Sequence, residues 1–598
     1  MDSRVDGRRG TAALFAGIAL AALVAVWPLL YFHSVPAFQQ DWTWPLSRTL
    51  ALQWLHTFAG LWDDRGFGHA NALPWQTYAV FTQSLSVVVL GSSLGLAFWI
   101  AMALFGAGCA CAWMLRAFGV RSRLAAFVAA LFYLTSPVIF TRVAAGHLAY
   151  LVAYALLPVI VVLARRTVEG RQILPAVVLG IAVGFAASQI QFLVTAWLAV
   201  VALVPFIAHA RGWIARLAIA AGIAVAVQLQ ALLPMALSST TALYEAQRAL
   251  VSFEYNNSSP FADAAVMLGY FTHYYETAAM PAAFWVLYAV LASALIFAFA
   301  ATRRFGGYAL ALVAIGIVFT AGLYGPLSVP LASAFERWPY FALFRDLHYF
   351  AAFTALGIAL ALGLSIERFR LSAPVFFALV AWCGMPVLAA TEIRTMLVPP
   401  RYVSDTLQAM TVAASHGKGR VLWLPAEEPV GLRGAANAGR DFAAYGPRDN
   451  PSVSDDLGNP QLAYALATLR DGKPDWAAFA SMGIRYLVVR DYVRSARKED
   501  NLGTGFRLAY GRLEDDALAA ELARDPHVVP IGRTPDSAIY ELPHVVLAPY
   551  VATASDALLF SELAPQTVAI RAATPRLKIA PSAITADPRL DWVDGRFG

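Results

Sequence analysis

Length, composition and charge exclude a soluble protein. The chain has 598 residues, of which 59% are hydrophobic and 14% charged, and its mean hydropathy is +0.59. Soluble domains average about a quarter charged residues, and a soluble chain of this length could not hide so much apolar surface. The net charge is +6, and the basic residues are distributed among the loops between apolar runs. This distribution indicates that they determine membrane topology, and it excludes nucleic-acid binding.

Apolar runs long enough to cross a bilayer recur along the first two thirds of the chain. The first run is longer than the apolar part of a signal peptide, so we predict a retained span. We predict about eleven spans, near residues 11–31, 93–115, 124–141, 148–164, 173–188, 192–209, 217–235, 282–301, 308–323, 349–366 and 373–391. Residues 173–209 could instead form a shallow hairpin, and residues 78–90 an interfacial or re-entrant helix.

The arginines predict the orientation of these spans. With the amino terminus in the cytoplasm, the inner loops hold most of them and the outer loops few, as the positive-inside rule requires. An odd number of spans then places the carboxyl terminus outside. Acidic residues collect in the outer loops, which indicates a polar reaction or binding site on that side.

From about residue 392 the composition becomes that of a soluble domain. Short strands are predicted at 420–425, 486–490 and 538–542, and helices at 475–482 and 515–524. The cysteines Cys109, Cys111 and Cys383 all lie in apolar runs before this region, so we interpret them as packing residues and predict no disulfide here. The predicted organisation is a transmembrane domain over 1–391, with a first outer loop at 32–92, and an extracytoplasmic mixed α/β domain over 392–598.

The first outer loop contains a candidate catalytic acid. Asp41 follows the first span and is flanked by Trp42 and Trp44, which are typical of the lipid headgroup level. A carboxylate near apolar surface suits a general base that takes a proton from a hydroxyl. An aromatic belt with a helix-capping aspartate is the alternative interpretation.

Two further outer segments contain candidate substrate-binding residues. Arg142, His147 and Tyr150 lie in a short loop between two strong spans, and an arginine can bind a phosphate with two hydrogen bonds. A turn with an interfacial histidine and tyrosine is the alternative. Before a late span, the other segment holds Arg345, Asp346 and His348. Charges at that depth are costly unless paired, so they tend to face a cavity; a structural arginine–aspartate contact is the alternative.

The layout resembles a GT-C glycosyltransferase, and more narrowly the bacterial YfhO-like and arabinofuranosyltransferase-like membrane proteins. The segments that carry the resemblance are Arg142–Tyr150 leading into Ala155–Pro158, Leu343–Asp346, and Met482–Val489. It implies a bacterial cytoplasmic-membrane enzyme that takes a sugar from a polyprenyl-phosphate donor, inverts its anomeric centre and passes it to a glycan or lipid acceptor.

The resemblance makes Asp41 the first-loop acid by position. Many relatives have two adjacent acids there, whereas Gln40 and Trp42 flank Asp41, so Asp63 or Asp64 further along the loop are alternatives for the base. Some relatives use a divalent cation, Mg²⁺ or Mn²⁺, and the sequence does not decide whether this chain does. The outer domain is expected to bind the acceptor or cover the cavity.

Two other function classes remain open. A transporter or flippase for lipid-linked sugars would have charged residues within its spans and two symmetric halves, and these spans are almost free of ionisable residues. A non-catalytic envelope assembly protein would use the outer domain to bind a partner, and nothing in the sequence excludes it.

Overall fold

The computed structural model describes most of the chain, in two compact units. The described residues are 2–35, 44–59, 62–63, 69–70, 74–237, 260–268, 280–338, 341, 344, 346–427, 430–432, 438–439, 443, 446–455, 460–470, 472–498, 508–510, 515–543, 556–560, 567–573 and 576–577. The first unit holds the described residues up to Val398, apart from Trp62, Asp63 and His69. The second holds those three and the described residues from Pro399 onward.

The first unit is helical. Its helices are α1 (Asp2–Val24), α2 (Trp27–Phe32), α3 (Arg48–Ala59), α4 (Thr77–Leu90), α5 (Ser92–Ala117), α6 (Arg123–Leu134), α7 (Pro137–Ala144), α8 (Leu148–Glu169), α9 (Leu174–Ala186), α10 (Phe192–Leu203), α11 (Trp213–Val227), α12 (Leu229–Leu237), α13 (Phe261–Ala265), α14 (Met280–Ala301), α15 (Arg303–Ala321), α16 (Ser328–Arg337), α17 (Ala351–Arg368), α18 (Ala373–Leu388) and α19 (Thr391–Met396).

Five helical segments among the described residues are long and apolar enough to cross a membrane. They are Ser92–Ala117, Arg123–Ala144, Leu148–Glu169, Arg303–Tyr324 and Leu347–Arg368. Each coincides with a predicted span, and the chain is a multi-pass membrane protein. The other six predicted spans coincide with shorter apolar helices, so the count of eleven stays a prediction.

Proline and glycine explain where the helices are interrupted. The sequence predicts one span over 124–141, but the structure has α6 and α7, because Ser136 is extended and Pro137 begins a new helix. Similarly, α4 ends at Gly91, whose φ of +84° only glycine adopts readily, and α5 starts directly after it. The short helix predicted at 78–90 is therefore present as α4.

Helix α17 forms the centre of the helical unit. Every residue from Ala351 to Ile366 is buried, and α6, α14 and α15 pack around it. Small residues allow this close packing: a Cβ added at Gly357 would lie 2.7 Å from the carbonyl oxygen of Ala309 in α15. The amino-terminal end of this rigid helix is where the candidate site lies.

The second unit combines helices and strands. Its elements are β1 (Trp62–Asp63), α20 (Pro400–Ser415), β3 (Arg420–Glu427), β4 (Val430–Leu432), β5 (Ala438–Gly439), β6 (Ser452–Asp455), α21 (Pro460–Arg470), α22 (Trp476–Ser481), β7 (Ile484–Arg490), β8 (Val493–Lys498), β9 (Leu508–Tyr510), α23 (Asp515–Leu522), β10 (Val529–Thr534), β11 (Ser537–Glu541), β12 (Asp556–Phe560), β13 (Thr567–Ala573) and β14 (Arg576–Leu577); β2 (His69–Ala70) lies at the division between the units.

A five-stranded sheet with the order β10-β11-β7-β3-β6 organises the second unit. Strand β3 is parallel to β6 and β7, and β11 is antiparallel to β7 and β10. Alternate residues such as Leu422 and Leu487 join Phe479 of α22 in one apolar core. The predicted strands correspond to β3, β7 and β11, and the predicted helices to α22 and α23.

Candidate functional site

A tight connection between α7 and α8 places two of the predicted residues. Helix α7 ends at Ala144, Gly146 takes a φ of +76°, and the His147 N–H donates to the Arg142 carbonyl oxygen at 3.0 Å. The glycine is needed because other residues rarely adopt that φ. The turn leaves Arg142 in the last turn of α7, with His147 immediately before α8.

Asp346 is fixed at the other side of the site by helix capping. One of its oxygens, Oδ1, accepts from the His348 N–H at 2.9 Å, which caps the short 3₁₀ turn Leu347–Phe350 that leads into α17. The second oxygen, Oδ2, accepts from Arg142 Nη1 at 2.7 Å. Both carboxylate oxygens are therefore used, and the acid is held in one orientation.

Arg142 is the centre of this site. The residue is fully buried, and besides Asp346 it donates from Nη1 to His147 Nδ1 at 2.7 Å and from Nη2 to His348 Nδ1 at 3.3 Å. A buried guanidinium requires such a set of acceptors, since an unpaired buried charge is very costly. One carboxylate and two imidazoles thus surround one cation.

Two tyrosines enclose the guanidinium. Its carbon lies 4.8 Å from the ring centre of Tyr150 and 4.6 Å from that of Tyr349, and the two ring centres are 5.9 Å apart. Both distances are within the range of cation–π attraction, which is strongest away from water. We call Arg142, His147, Tyr150, Asp346, His348 and Tyr349 the arginine cluster.

The contacts of the cluster extend to residues that the sequence interpretation missed. Gln189 Nε2 donates to the Tyr349 hydroxyl at 3.0 Å and to Gln191 Oε1 at 2.7 Å. His348 Nε2 contacts the carbonyl oxygen of Met267, a buried residue with φ of +63°, at 3.1 Å. The polar Gln189–Gln191 turn between two apolar helices was a usable signal, whereas nothing in the sequence marks Met267.

The cluster does not fit a divalent cation. Mg²⁺ and Mn²⁺ prefer several oxygen ligands, but here the one carboxylate and both imidazoles face the guanidinium of Arg142. Nor do the described parts of the chain contain any group of three or more histidines, cysteines or acids that could hold a metal ion. The cation of this site is the arginine itself.

The predicted site residues thus fall into three groups. Arg142, His147, Tyr150, Asp346 and His348 come together, although their two segments are about two hundred positions apart in sequence. The positions outside the described residues are Asp41, Trp42, Asp64 and Arg345.

The structure also describes the remaining two predicted residues. Asp63 is in β1, within the second unit. Trp44 is buried, packs edge-on against Trp54 and donates its indole N–H to the Ser92 carbonyl oxygen at 3.0 Å. Trp44 therefore has packing contacts of its own in this structure.

Comparison with known proteins gives a structural match and no sequence match. No protein-family model and no curated protein matches the chain. The cryo-EM structure of arabinofuranosyltransferase AftD from Mycobacteria matches over 89% of this chain with a TM-score of 0.59 and 16% identity. A variant of AftD matches over 88% with a TM-score of 0.56 and 19% identity. The chain spans 40% and 41% of those two chains.

At these identities the likeness concerns the fold. It extends over nearly the whole chain, and it agrees with the resemblance seen in the sequence segments around Arg142, Asp346 and Met482. The chain therefore shares the overall fold of AftD.

Proposed function

We propose that this chain is a membrane glycosyltransferase that moves a sugar from a polyprenyl-phosphate donor to a cell-envelope glycan or lipid acceptor. The reaction takes place at the outer face of the bacterial cytoplasmic membrane. The observation that carries the proposal is the fold, which AftD, an arabinofuranosyltransferase, shares over 89% of this chain. The arginine cluster supports it, because it concentrates hydrogen-bonding groups at one end of the central helix.

The proposed reaction is a single displacement with inversion. A first-loop acid, Asp41 or alternatively Asp63 or Asp64, takes the proton of an acceptor hydroxyl. The acceptor oxygen forms a bond to the anomeric carbon while the bond from that carbon to the phosphate oxygen breaks. The polyprenyl phosphate leaves with the electron pair of the broken bond, and groups that donate hydrogen bonds to its oxygens stabilise it.

The arginine cluster is the proposed place of the donor phosphate. Tyr150, Asp346 and His348 form its buried frame, and Arg345, next to Asp346 in sequence, is proposed to contribute a second positive charge. Trp42 and Trp44 are proposed to line the path of the donor at the level of the lipid headgroups. Extended apolar contact along the polyprenyl tail supplies affinity, while the polar groups set the position of the phosphate.

The test is sugar transfer by the purified protein in lipid nanodiscs with radiolabelled polyprenyl-phosphate sugars. We expect transfer by the natural chain and a loss of about 10²–10⁴-fold in Asp41→Asn, or in a double Asp63→Asn/Asp64→Asn variant, since a general base contributes that much. The matched control is Asp449→Asn, whose side chain is 62% exposed in an ion pair with Lys418, and it should keep full activity.

Other outcomes would identify the competing functions. Full activity in Asp41→Asn and in the double variant would remove the first-loop base. Movement of the intact labelled lipid between leaflets, without cleavage of its sugar–phosphate bond, would identify a flippase. A protein that neither cleaves nor moves the lipid would be a non-catalytic assembly protein.

A further inference from the structure

The end of the helical unit opposite the arginine cluster is strongly basic. Helix α8 begins directly after His147 and ends at Glu169, and its 22 residues span about 33 Å, slightly more than the hydrocarbon core of a bilayer. The two ends of α8 therefore reach opposite surfaces of the membrane. The arginines in and around its last turn are Arg165, Arg166, Arg171, Arg211, Arg216 and Arg304.

Contacts with the last turn of α8 bring these arginines together from distant parts of the sequence. Arg165 and Arg304 both bind the carboxylate of Glu169, at 2.8 and 3.4 Å. The N–H of Ala210 donates to a carbonyl oxygen of the same turn at 2.9 Å, and this bond holds the loop that carries Arg211 against α8. Arginines from three segments of the chain therefore surround one end of one helix.

The positive charge at this end is only partly neutralised by the protein. Between Asp64 and Glu245 the sequence has no acidic residue except Glu169, which already binds two arginines. Arg216 is buried and donates to backbone carbonyl oxygens of α8 and of the loop before α11, at 3.0 Å each, and its Nη2 has no hydrogen-bond partner among the described residues. Carbonyl oxygens carry no net charge, so an excess of positive charge remains here.

Large apolar side chains lie exposed directly beside the arginines. Ile173 and Leu174 follow Arg171 at the start of α9, with exposed fractions of 56% and 66%. Ile214 follows Arg211 at the start of α11 and is 66% exposed. Both helices start at this end and pack along each other. Arginines beside exposed aliphatic side chains are typical of the membrane interface, where lipid headgroups meet acyl chains. A soluble polyanion would leave the aliphatic side chains in water, so a lipid fits this surface better.

We propose that this end of the helical unit binds the phosphate groups of anionic membrane phospholipids through a basic surface formed by the exposed side chains of Arg166, Arg171, Arg211 and Arg304. A guanidinium can donate two parallel hydrogen bonds to a phosphate. The excess positive charge attracts an anionic lipid more strongly than a zwitterionic one. The inference does not depend on the proposed function, because the basic surface lies at the opposite end of α8 from the arginine cluster.

The lipid preference of the full chain tests the proposal. The purified protein in detergent is titrated with phosphatidylglycerol, which is anionic, and with phosphatidylcholine, which is zwitterionic, and native mass spectrometry gives the two dissociation constants. We expect phosphatidylglycerol to bind about tenfold more tightly. Arg171→Gln and Arg211→Gln should each reduce this preference about fivefold, because each removes one interfacial positive charge. Arg211→Lys keeps the charge and should keep the preference.

Arg394→Gln is the matched control. Arg394 is also exposed, but it lies in α19, beyond the other end of α18, with its guanidinium over the ring of Trp27. The preference should be unchanged in this variant. Equal affinities for the two lipids in the wild type, or equal losses in Arg394→Gln and Arg211→Gln, would overturn the inference. Displacement of phosphatidylglycerol by glycerophosphoglycerol, its headgroup without the chains, at the same concentration would identify a site for soluble phosphates and would also overturn it.

Salt provides a test in the wild type, without any substitution. Raising the ammonium acetate concentration from about 0.1 M to about 1 M shortens the screening length from about 10 Å to about 3 Å. The preference for phosphatidylglycerol should therefore shrink, because it comes from the excess charge of exposed arginines. A preference that does not change with salt would show that the lipid is selected by the shape of its headgroup, and this result would contradict the proposal.

Discussion

At the scale of single residues, the Arg142–Asp346 pair determines how the site is held. The exposed fractions of the two side chains are 0% and 9%, so their 2.7 Å contact is shielded from bulk solvent. Removing two charges from water costs several kcal/mol per ion, and the cluster offsets this by hydrogen-bonding the guanidinium to two imidazoles as well. Such a pair fixes geometry more than it adds stability.

Asp346→Asn tests this directly. The substitution keeps the size of the side chain but leaves the Arg142 charge buried without its counter-charge, and we expect a loss of about 3–5 kcal/mol of stability. The measurement is unfolding of the detergent-solubilised protein. The control is Arg304→Ala, which removes a 3.4 Å pair with Glu169 whose arginine side chain is 49% exposed, and it should cost about 0–1 kcal/mol. Equal losses in both variants would contradict the assignment.

The sequence identifies these residues better than it identifies their partners. Arg142, His147 and Asp346 are recognisable because ionisable groups beside apolar spans are rare and costly. Their mutual contacts are not predictable, because they depend on which helices pack around α17, and a single sequence contains no signal for that. Tyr349 and Met267 were missed for the same reason, since their roles come from a ring face and a backbone carbonyl.

At the scale of helices, hydropathy predicts where an element lies but not where it bends or how closely it packs. The break between α6 and α7 at Pro137 is a local backbone effect that a hydropathy window averages out. Close packing of α9 on α11 depends on Gly180 and Gly184, four residues apart on one face: a Cβ at Gly180 would lie 2.5 Å from the Ala220 carbonyl oxygen. That spacing is visible in the sequence, but its partner helix is not.

Gly180→Ala should therefore destabilise the helical unit. The added methyl group meets backbone that cannot move away alone, and we expect a loss of about 1–3 kcal/mol from overpacking. Gly222→Ala in α11 is the matched control, because no atom lies within 4 Å of a Cβ built there. It should be neutral or stabilising by up to about 1 kcal/mol, from helix propensity. Thermal unfolding in detergent measures both, and a neutral Gly180→Ala would show that the two helices separate easily.

At the scale of the whole molecule, the side of the membrane on which a segment lies depends on whether the number of membrane crossings before it is odd or even. A helix of 13 residues such as α9 is about 20 Å long, short of the roughly 30 Å hydrocarbon core. Whether α9 and α10 each cross or form one shallow hairpin, the number of crossings changes by two and stays odd. The predicted orientation therefore does not depend on whether α9 and α10 cross.

Impermeant maleimide labelling of right-side-out vesicles tests this orientation. With Cys109, Cys111 and Cys383 replaced by alanine, we introduce single cysteines at two exposed positions. Lys418→Cys, where the lysine side chain is 70% exposed in the second unit, should be labelled in intact vesicles. Gln172→Cys, between α8 and α9 beside Arg171, should be labelled only after the vesicles are opened, because arginine-rich loops stay in the cytoplasm. The reverse pattern would place the arginine cluster at the cytoplasmic face, and sugar transfer at the outer surface would then be impossible for this chain.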